Sequence, residues 1–171
     1  MIRLVFDCLR SPYDYANIIQ VVLAIGCDKC EIHVTGNSLC HNHPKIVGKV
    51  SSWSKKVKQQ GLSELPIRYH ETLETCITML RSRGIRMVGT SPHASKTIHD
   101  FDLSDGNIAI VFGTETSGLT KTKVSMLDDM MVVPMSPDID FMTLSVCVPI
   151  VAYEMLRQQH NSGVILWAGI L

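Results

Sequence analysis

Two apolar runs near the end of the chain decide the expected fold: Asn107-Ile-Ala-Ile-Val-Phe-Gly113 and Met130-Met-Val-Val-Pro-Met135. Uninterrupted apolar residues are typical of strands that are covered on both faces, as in a parallel sheet. The first run leads into Thr114-Glu-Thr-Ser-Gly-Leu119, and the second stops at Ser136-Pro-Asp138. Open α/β sheets bind ligands in loops that leave the carboxyl ends of neighbouring parallel strands. We therefore expect these runs to be neighbouring strands and their loops to form the functional site.

The rest of the chain alternates strand patterns with helix patterns. Four more short apolar runs predict strands, at residues 3–6, 31–35, 65–69 and 85–89. Apolar residues at helical spacing predict helices at residues 18–25, 46–57 and 73–80, and a closing helix that starts near Thr143. This alternation predicts an α/β fold with a mainly parallel sheet and flanking helices.

The closing helix is apolar over more of its surface than one sheet face needs. Leu144, Val148, Val151 and Met155 form one stripe, which Cys147 and Ile150 widen. We expect part of this helix to contact a second subunit. Pro149 lacks an N–H for the helical ladder, so a bend or a later helix start is expected. The apolar tail Gly163–Leu171 is expected to pack against the domain or a partner.

Length and composition indicate one domain covering residues 1–171, with 46% apolar residues to build a core. No charge-free stretch is long enough to cross a bilayer, and the start does not resemble a signal peptide, so a cytoplasmic protein without membrane contact is expected. Formal net charge is zero. Five lysines and no acid fall in residues 44–60. They could contact phosphates or form an ordinary solvated face, and both interpretations stay open.

Six cysteines in a chain without a secretory signal favour free thiols or metal ligands over disulfides. Cys27, Cys30, Cys40 and His43 are residue types that bind zinc. However, the strand predicted between Cys30 and Cys40 would hold them roughly 15 Å apart, at ~3.3 Å per residue. We expect no metal site and keep a zinc-stabilised protein as an alternative hypothesis. His33 is expected to be an ordinary side chain on one face of its strand.

Three segments resemble the motifs of a known enzyme family. Val111–Leu119 and Val133–Ser145 are similar to the last two motifs of the SpoU/TrmH branch of the SPOUT RNA methyltransferases, and Ile2–Gly26 resembles the first. The likeness is greatest to the minimal TrmL-type tRNA (cytidine/uridine-2'-O-)-methyltransferases. This resemblance implies a C-terminal deep trefoil knot that binds S-adenosylmethionine, and a homodimer formed through the first and C-terminal helices. It also implies methyl transfer to a ribose 2'-hydroxyl of tRNA or rRNA.

The resemblance also implies site residues. Those expected to bind the cofactor are Gly89, Gly113, Gly118, Leu119, Val133, Met135, Met142 and Leu144. Those expected in the catalytic apparatus are Asn17, Gln20, Glu115 and Ser145. Arg10 is not a family position, but it is added to this set because it could supply a missing cation if its loop folds over the cleft. Gln20 stands where relatives have arginine, and Phe141 and Thr143 replace a serine and an asparagine. A neutral amide can orient a hydroxyl but offers no positive charge. The alternative is a catalytically impaired relative that binds RNA or cofactor without methyl transfer.

Overall fold

The computed structural model describes residues 1–166, which form a six-stranded sheet with helices on both faces. The strand order is β3-β2-β1-β5-β4-β6, and every pairing is parallel. The strands are β1 (Ile2–Asp7), β2 (Cys30–Thr35), β3 (Ile67–His70), β4 (Arg86–Thr90), β5 (Ile108–Phe112) and β6 (Asp129–Met131). The expected α/β fold with a parallel sheet is confirmed.

The helices are α1 (Pro12–Ile25), α2 (Pro44–Trp53), α3 (Lys55–Gln60), α4 (Leu73–Ser82), α5 (Lys121–Val124) and α6 (Leu144–Asn161), with a 3-10 turn at Cys27–Lys29. Side chains alternate between the two faces of a strand, so each face of the sheet packs against its own hydrophobic core. Leu4 and Phe6 of β1 pack in the core that α1, α2 and α6 cover. Val5 faces the smaller core under α4.

The two apolar runs that set the expected fold are not neighbouring strands. β4 lies between β5 and β6, pairing Val88 with Ile110 on one side and with Asp129 on the other. The second run is also a shorter strand than expected, since β6 ends at Met131. Val132 instead forms an isolated parallel bridge to Thr97, in the long connection between β4 and β5. The expectation of adjacent strands was wrong because apolar patterning carries no information on strand order.

The helix predicted over residues 46–57 is broken into α2 and α3 at Ser54. This residue is extended, with φ −127° and ψ 113°, and its hydroxyl accepts a hydrogen bond from the Val57 N–H. Serine at an N-cap competes with helix continuation by offering its oxygen to the next turn. Ile46, Val50 and Val57 are nevertheless all buried, so both short helices contribute to one apolar stripe.

α6 begins at Leu144, so Pro149 lies inside the helix. Of the two expected outcomes, a bend or a later start, the later start is excluded. Val148, Val151 and Met155 are buried as the predicted stripe. A second stripe is exposed: Val146, Ile150 and Tyr153 keep 50, 39 and 44% of their surface accessible. After the helix Ile165 is buried and Leu166 exposed, and the remaining tail residues, 167–171, lie outside the described part. Within residues 1–166, no helix has the length and apolarity to cross a membrane.

Candidate functional site

A cavity of about 370 Å³ lies at the carboxyl ends of β4, β5 and β6. Three segments surround it: the loop after β4 (residues 90–93), the loop after β5 (113–119), and the stretch from the end of β6 into α6 (132–147). The two loops singled out from the sequence therefore meet around one cavity, although β4 separates their strands. Its volume is in the range of small-molecule and cofactor pockets.

The wall formed by Gly113 is made of main chain. A Cβ built on this residue would lie 2.1 Å from the Gly118 carbonyl carbon and 2.3 Å from the Leu119 nitrogen. Thr114 and Gly118 exchange backbone hydrogen bonds of 3.0 and 3.1 Å, which fold the loop back onto Gly113. Gly118 has φ +64°, a conformation that glycine adopts without strain. The loop therefore presents backbone groups at close range, where any other residue at 113 would displace it.

Glu115 and Asp14 tie the start of the chain to this site. Glu115 Oε1 accepts hydrogen bonds from the N–H groups of Arg10 (2.8 Å) and Ser11 (2.9 Å). Asp14 Oδ1 accepts one from the Ser145 N–H at 3.2 Å, near the start of α6. Hydrogen bonds to a carboxylate are stronger than those between neutral groups. The loop that enters α1 is thus held against the loop after β5, and the first turn of α1 against the start of α6.

Most of the residues expected to bind a cofactor line the cavity: Gly113, Gly118, Leu119, Val133, Met135, Met142 and Leu144. Gly89 is not among the lining residues, although its neighbour Thr90 is. A Cβ on Gly89 would lie 2.5 Å from Met130 Sδ and 2.6 Å from Leu127 Cδ1. Gly89 therefore allows β4 to pack closely against the chain entering β6.

The residues expected in the catalytic apparatus are dispersed. Glu115 lines the cavity. Arg10 and Ser145 are not among the lining residues of the described chain. The Arg10 N–H binds Glu115, which is one of them, and the Ser145 hydroxyl lies 3.0 Å from that of Thr143, another lining residue. Asn17 and Gln20 are on α1, half-buried and exposed respectively, and neither is among the lining residues within the described chain.

Sequence reasoning missed the loop after β4, where Thr90, Ser91, Pro92 and His93 line the cavity. The rule that ligands bind at the carboxyl ends of parallel strands applies to β4 as well, so this signal was present. Cys147 is a second missed lining residue. Burial raises the pKa of its thiol to about 11, so this side chain is a neutral apolar wall at physiological pH.

The residues of the zinc hypothesis, Cys27, Cys30, Cys40 and His43, do not form a group of possible metal ligands in the described chain. Cys30 is buried at the start of β2 and Cys40 is exposed. Among residues 1–166, the metal-ligand types gather in a different place, at His33, His70 and Cys76. The described chain thus does not bring Cys27, Cys30, Cys40 and His43 together as one group of ligands.

Comparisons with known proteins agree with the fold. Residues 1–153 match the model of the SpoU rRNA Methylase family. A "23S rRNA (guanosine-2'-O-)-methyltransferase RlmB" from Coxiella burnetii is 33% identical over 157 residues, covering 92% of this chain and 58% of the relative. The chain spans only 53, 44 and 64% of three other curated relatives.

Two solved structures share the fold. The SpoU methyltransferase AviRb from Streptomyces viridochromogenes, in complex with AdoMet, has a TM-score of 0.78 at 23% identity, over 94% of this chain and 61% of that one. A structure described as "Structural insights into the 2-OH methylation of C/U34 on tRNA" has a TM-score of 0.77 at 20% identity, over 94% and 97%.

Proposed function

Because the chain belongs to the SpoU rRNA methylase family, we propose that it transfers a methyl group from S-adenosylmethionine to a ribose 2'-hydroxyl of tRNA or rRNA. The observation that carries this proposal is the cavity in which the main chain of Gly113–Leu119 faces the Val133–Leu144 segment. Both segments come from the motifs that resemble the family, and the AviRb relative is described as a complex with the same cofactor.

The lining residues fit this cofactor. Leu119, Val133, Met142 and Leu144 supply apolar walls, and the glycine loop supplies main-chain donors and acceptors at close range. When bound, S-adenosylmethionine supplies an electrophilic methyl group. The task left to the protein is to hold the cofactor and the ribose hydroxyl in line, since orientation contributes much of the rate of such a transfer.

We propose separate roles for the polar residues. Glu115 positions the first loop by accepting the Arg10 and Ser11 N–H groups, so it acts through the loop. Arg10 would offer positive charge to an RNA phosphate, and Ser145 would fix the entry of α6. Asn17 and Gln20 lie on α1 outside the cavity of their own chain, so their proposed role is to orient RNA at a site completed by a second copy.

The homodimer is accordingly part of the proposal. The exposed apolar stripe of α6, together with Tyr13 at the start of α1, supports an interface through these two helices. We also propose the deep trefoil knot, a TrmL-like preference for tRNA, and action in the cytoplasm. The resemblance of the motifs supports the knot, and the fold likeness to a structure concerned with tRNA position 34 supports the substrate.

The test is methyl transfer from labelled S-adenosylmethionine to unmodified tRNA and rRNA, followed by alkaline hydrolysis. A 2'-O-methyl group blocks cleavage at the modified nucleotide, so the label should appear in alkali-resistant dinucleotides. Cys147→Phe fills the cavity and should lower transfer roughly 100-fold, the scale expected from a misplaced reactant. Cys40→Phe, at an exposed cysteine away from the cavity, is the matched control.

Melting temperatures of both variants must be measured so that unfolding is not mistaken for loss of activity. Cofactor binding by the wild-type chain without transfer to either class of RNA would contradict the proposal and support the catalytically impaired alternative.

A further inference from the structure

A second group of chemically active side chains lies on the opposite face of the sheet from α1 and α6. The parallel register of β2 and β3 pairs His33 with Arg68 and Thr35 with His70, which puts both histidines on one sheet face. α4 covers this face, and Cys76 of that helix belongs to the core beneath it. The group is separate from the candidate cofactor cavity, whose lining includes none of these residues.

The two imidazoles face each other closely. His33 Nδ1 lies 2.9 Å from His70 Nε2. One ligand atom from each histidine and the Cys76 sulfur all lie within 4.8 Å of one another. His33 and Cys76 are both 0% exposed, while His70 is half-buried and gives the group access to solvent.

The second ring nitrogen of His33 has unfilled hydrogen-bonding capacity. His33 Nε2 is buried without a hydrogen-bond partner in the described chain. It lies 3.5 Å from Glu31 Oε1, close enough for electrostatic contact but outside good hydrogen-bond geometry. An unpaired buried polar atom has lost its hydration without compensation, so its presence calls for a physical reason.

We propose that His33 Nδ1, His70 Nε2 and the Cys76 thiolate bind a zinc ion that fastens the edge strand β3 and the helix α4 to β2. Zinc ligands in a tetrahedral site lie roughly 3.3–3.6 Å apart, given Zn–N of about 2.0–2.1 Å and Zn–S of about 2.3 Å. The two imidazole nitrogens are 2.9 Å apart and all three ligand atoms lie within 4.8 Å of one another, so small side-chain rotations would complete the site. The fourth position, beside half-buried His70, is open to water.

This arrangement also accounts for the unpaired nitrogen. A metal on Nδ1 places the imidazole proton on Nε2, and the side-chain rotation that completes the site would bring this N–H from 3.5 Å to within donating distance of the Glu31 carboxylate. Metal-binding histidines commonly donate their other N–H to a carboxylate in this way. Binding converts the Cys76 thiol to a thiolate and releases its proton to solvent.

The surrounding charges determine which metal is suited. Glu31 already pairs with Arg3, Arg68 and Arg83, whose positive charges oppose a bound cation. A thiolate ligand offsets one of the two charges of a divalent ion. Two imidazoles and a thiolate favour zinc over magnesium or calcium, which prefer oxygen ligands.

The test is metal content and stability of the full chain, first stripped with a chelator and then dialysed against zinc alone. The wild-type chain should retain about one zinc per chain, and zinc should raise its melting temperature. Cobalt in place of zinc should give a thiolate-to-metal charge-transfer band. His70→Gln and Cys76→Ala should each weaken zinc binding at least ~10-fold, and Cys76→Ala should abolish the band.

Cys40→Ala and His99→Gln, which remove the same residue types outside the group, should bind zinc as the wild type does. Circular dichroism of each variant without metal separates loss of the site from loss of the fold. A wild-type chain that retains no zinc, or His70→Gln and Cys76→Ala variants that bind it as before, would overturn the proposal. None of these measurements involves methyl transfer, so they test the metal site independently of the proposed activity.

Discussion

The loop that lines the cavity can fold back onto residue 113 only because Gly113 has no side chain. The atoms nearest to the position that a Cβ would take there belong to the backbone of Gly118 and Leu119, which cannot rotate away as a flexible side chain could. Resemblance to a family identified this glycine, but the physical cause is a contact across five positions of one loop. Apolar patterning could not show it, because the requirement depends on how the loop folds back.

We predict that Gly113→Ala destabilises the chain far more than Gly118→Ala. In the first variant the added Cβ would force the backbone of residues 113 and 118–119 apart. Overpacking typically costs about 1–3 kcal/mol, and we expect the upper end here because backbone atoms cannot rotate away. In the second variant the added Cβ has no other atom within 4 Å. Its only strain comes from the φ of +64°, which costs a non-glycine residue about 1 kcal/mol. Urea unfolding of both variants measures the difference.

Binding of S-adenosylmethionine by calorimetry should be lost in Gly113→Ala and retained in Gly118→Ala. Equal stabilities for the two variants would show that the Gly113 loop adapts freely and would remove the steric explanation.

At the scale of elements, sequence patterns identified every strand of the sheet but missed features that depend on neighbours. The break between α2 and α3 arises because the Ser54 hydroxyl caps a new turn, whereas the apolar spacing on both sides predicted one helix. The insertion of β4 between β5 and β6 was equally hidden, since strand order is decided by crossovers. The loop after β4 lines the cavity because β4 lies between β5 and β6, and this strand order was hidden in the sequence.

We predict that Pro149→Ala stabilises the chain by about 2 kcal/mol. Proline inside a helix is about 3 kcal/mol less favourable than alanine. Alanine also makes the unfolded chain more flexible, which lowers the free energy of unfolding by up to about 1 kcal/mol. Pro44→Ala is the matched control, because Pro44 occupies the first turn of α2, where no helical hydrogen bond is lost.

Thermal unfolding compares the two variants, and only Pro149→Ala should melt at higher temperature. A lower melting temperature for Pro149→Ala would mean that the proline shapes α6 for its packing against the sheet.

At the scale of the whole molecule, the exposed apolar residues of α6 are the basis of the proposed homodimer interface. Val146, Ile150 and Tyr153 recur at helical spacing on the side of α6 that faces away from its own core. The sequence predicted an apolar excess on this helix. It could not predict the grouping of His33, His70 and Cys76. The register of β2 with β3 brings together the two histidines, which are 37 positions apart, and the packing of α4 on the sheet adds Cys76.

We predict that Ile150→Glu converts a homodimer into a monomer. A charge in the centre of an apolar interface loses its hydration when the copies associate, which costs several kcal/mol. Tyr69→Glu, on the edge strand β3 and also exposed, is the matched control and should leave the dimer intact. Sedimentation equilibrium at several concentrations measures both.

A wild-type chain that sediments as a monomer at all concentrations would contradict the proposed interface. If Ile150→Glu and Tyr69→Glu dissociated equally, the interface would not be centred on α6.

The contacts that close the cavity join residues made at very different times during synthesis. Arg10 and Ser11 bind Glu115 across 105 and 104 positions, and Asp14 binds Ser145 across 131. A ribosome must therefore have released most of the polypeptide before the first-made segment finds its partners. Until then the cavity proposed to hold the cofactor is incomplete, because one of its walls is formed by residues 132–147.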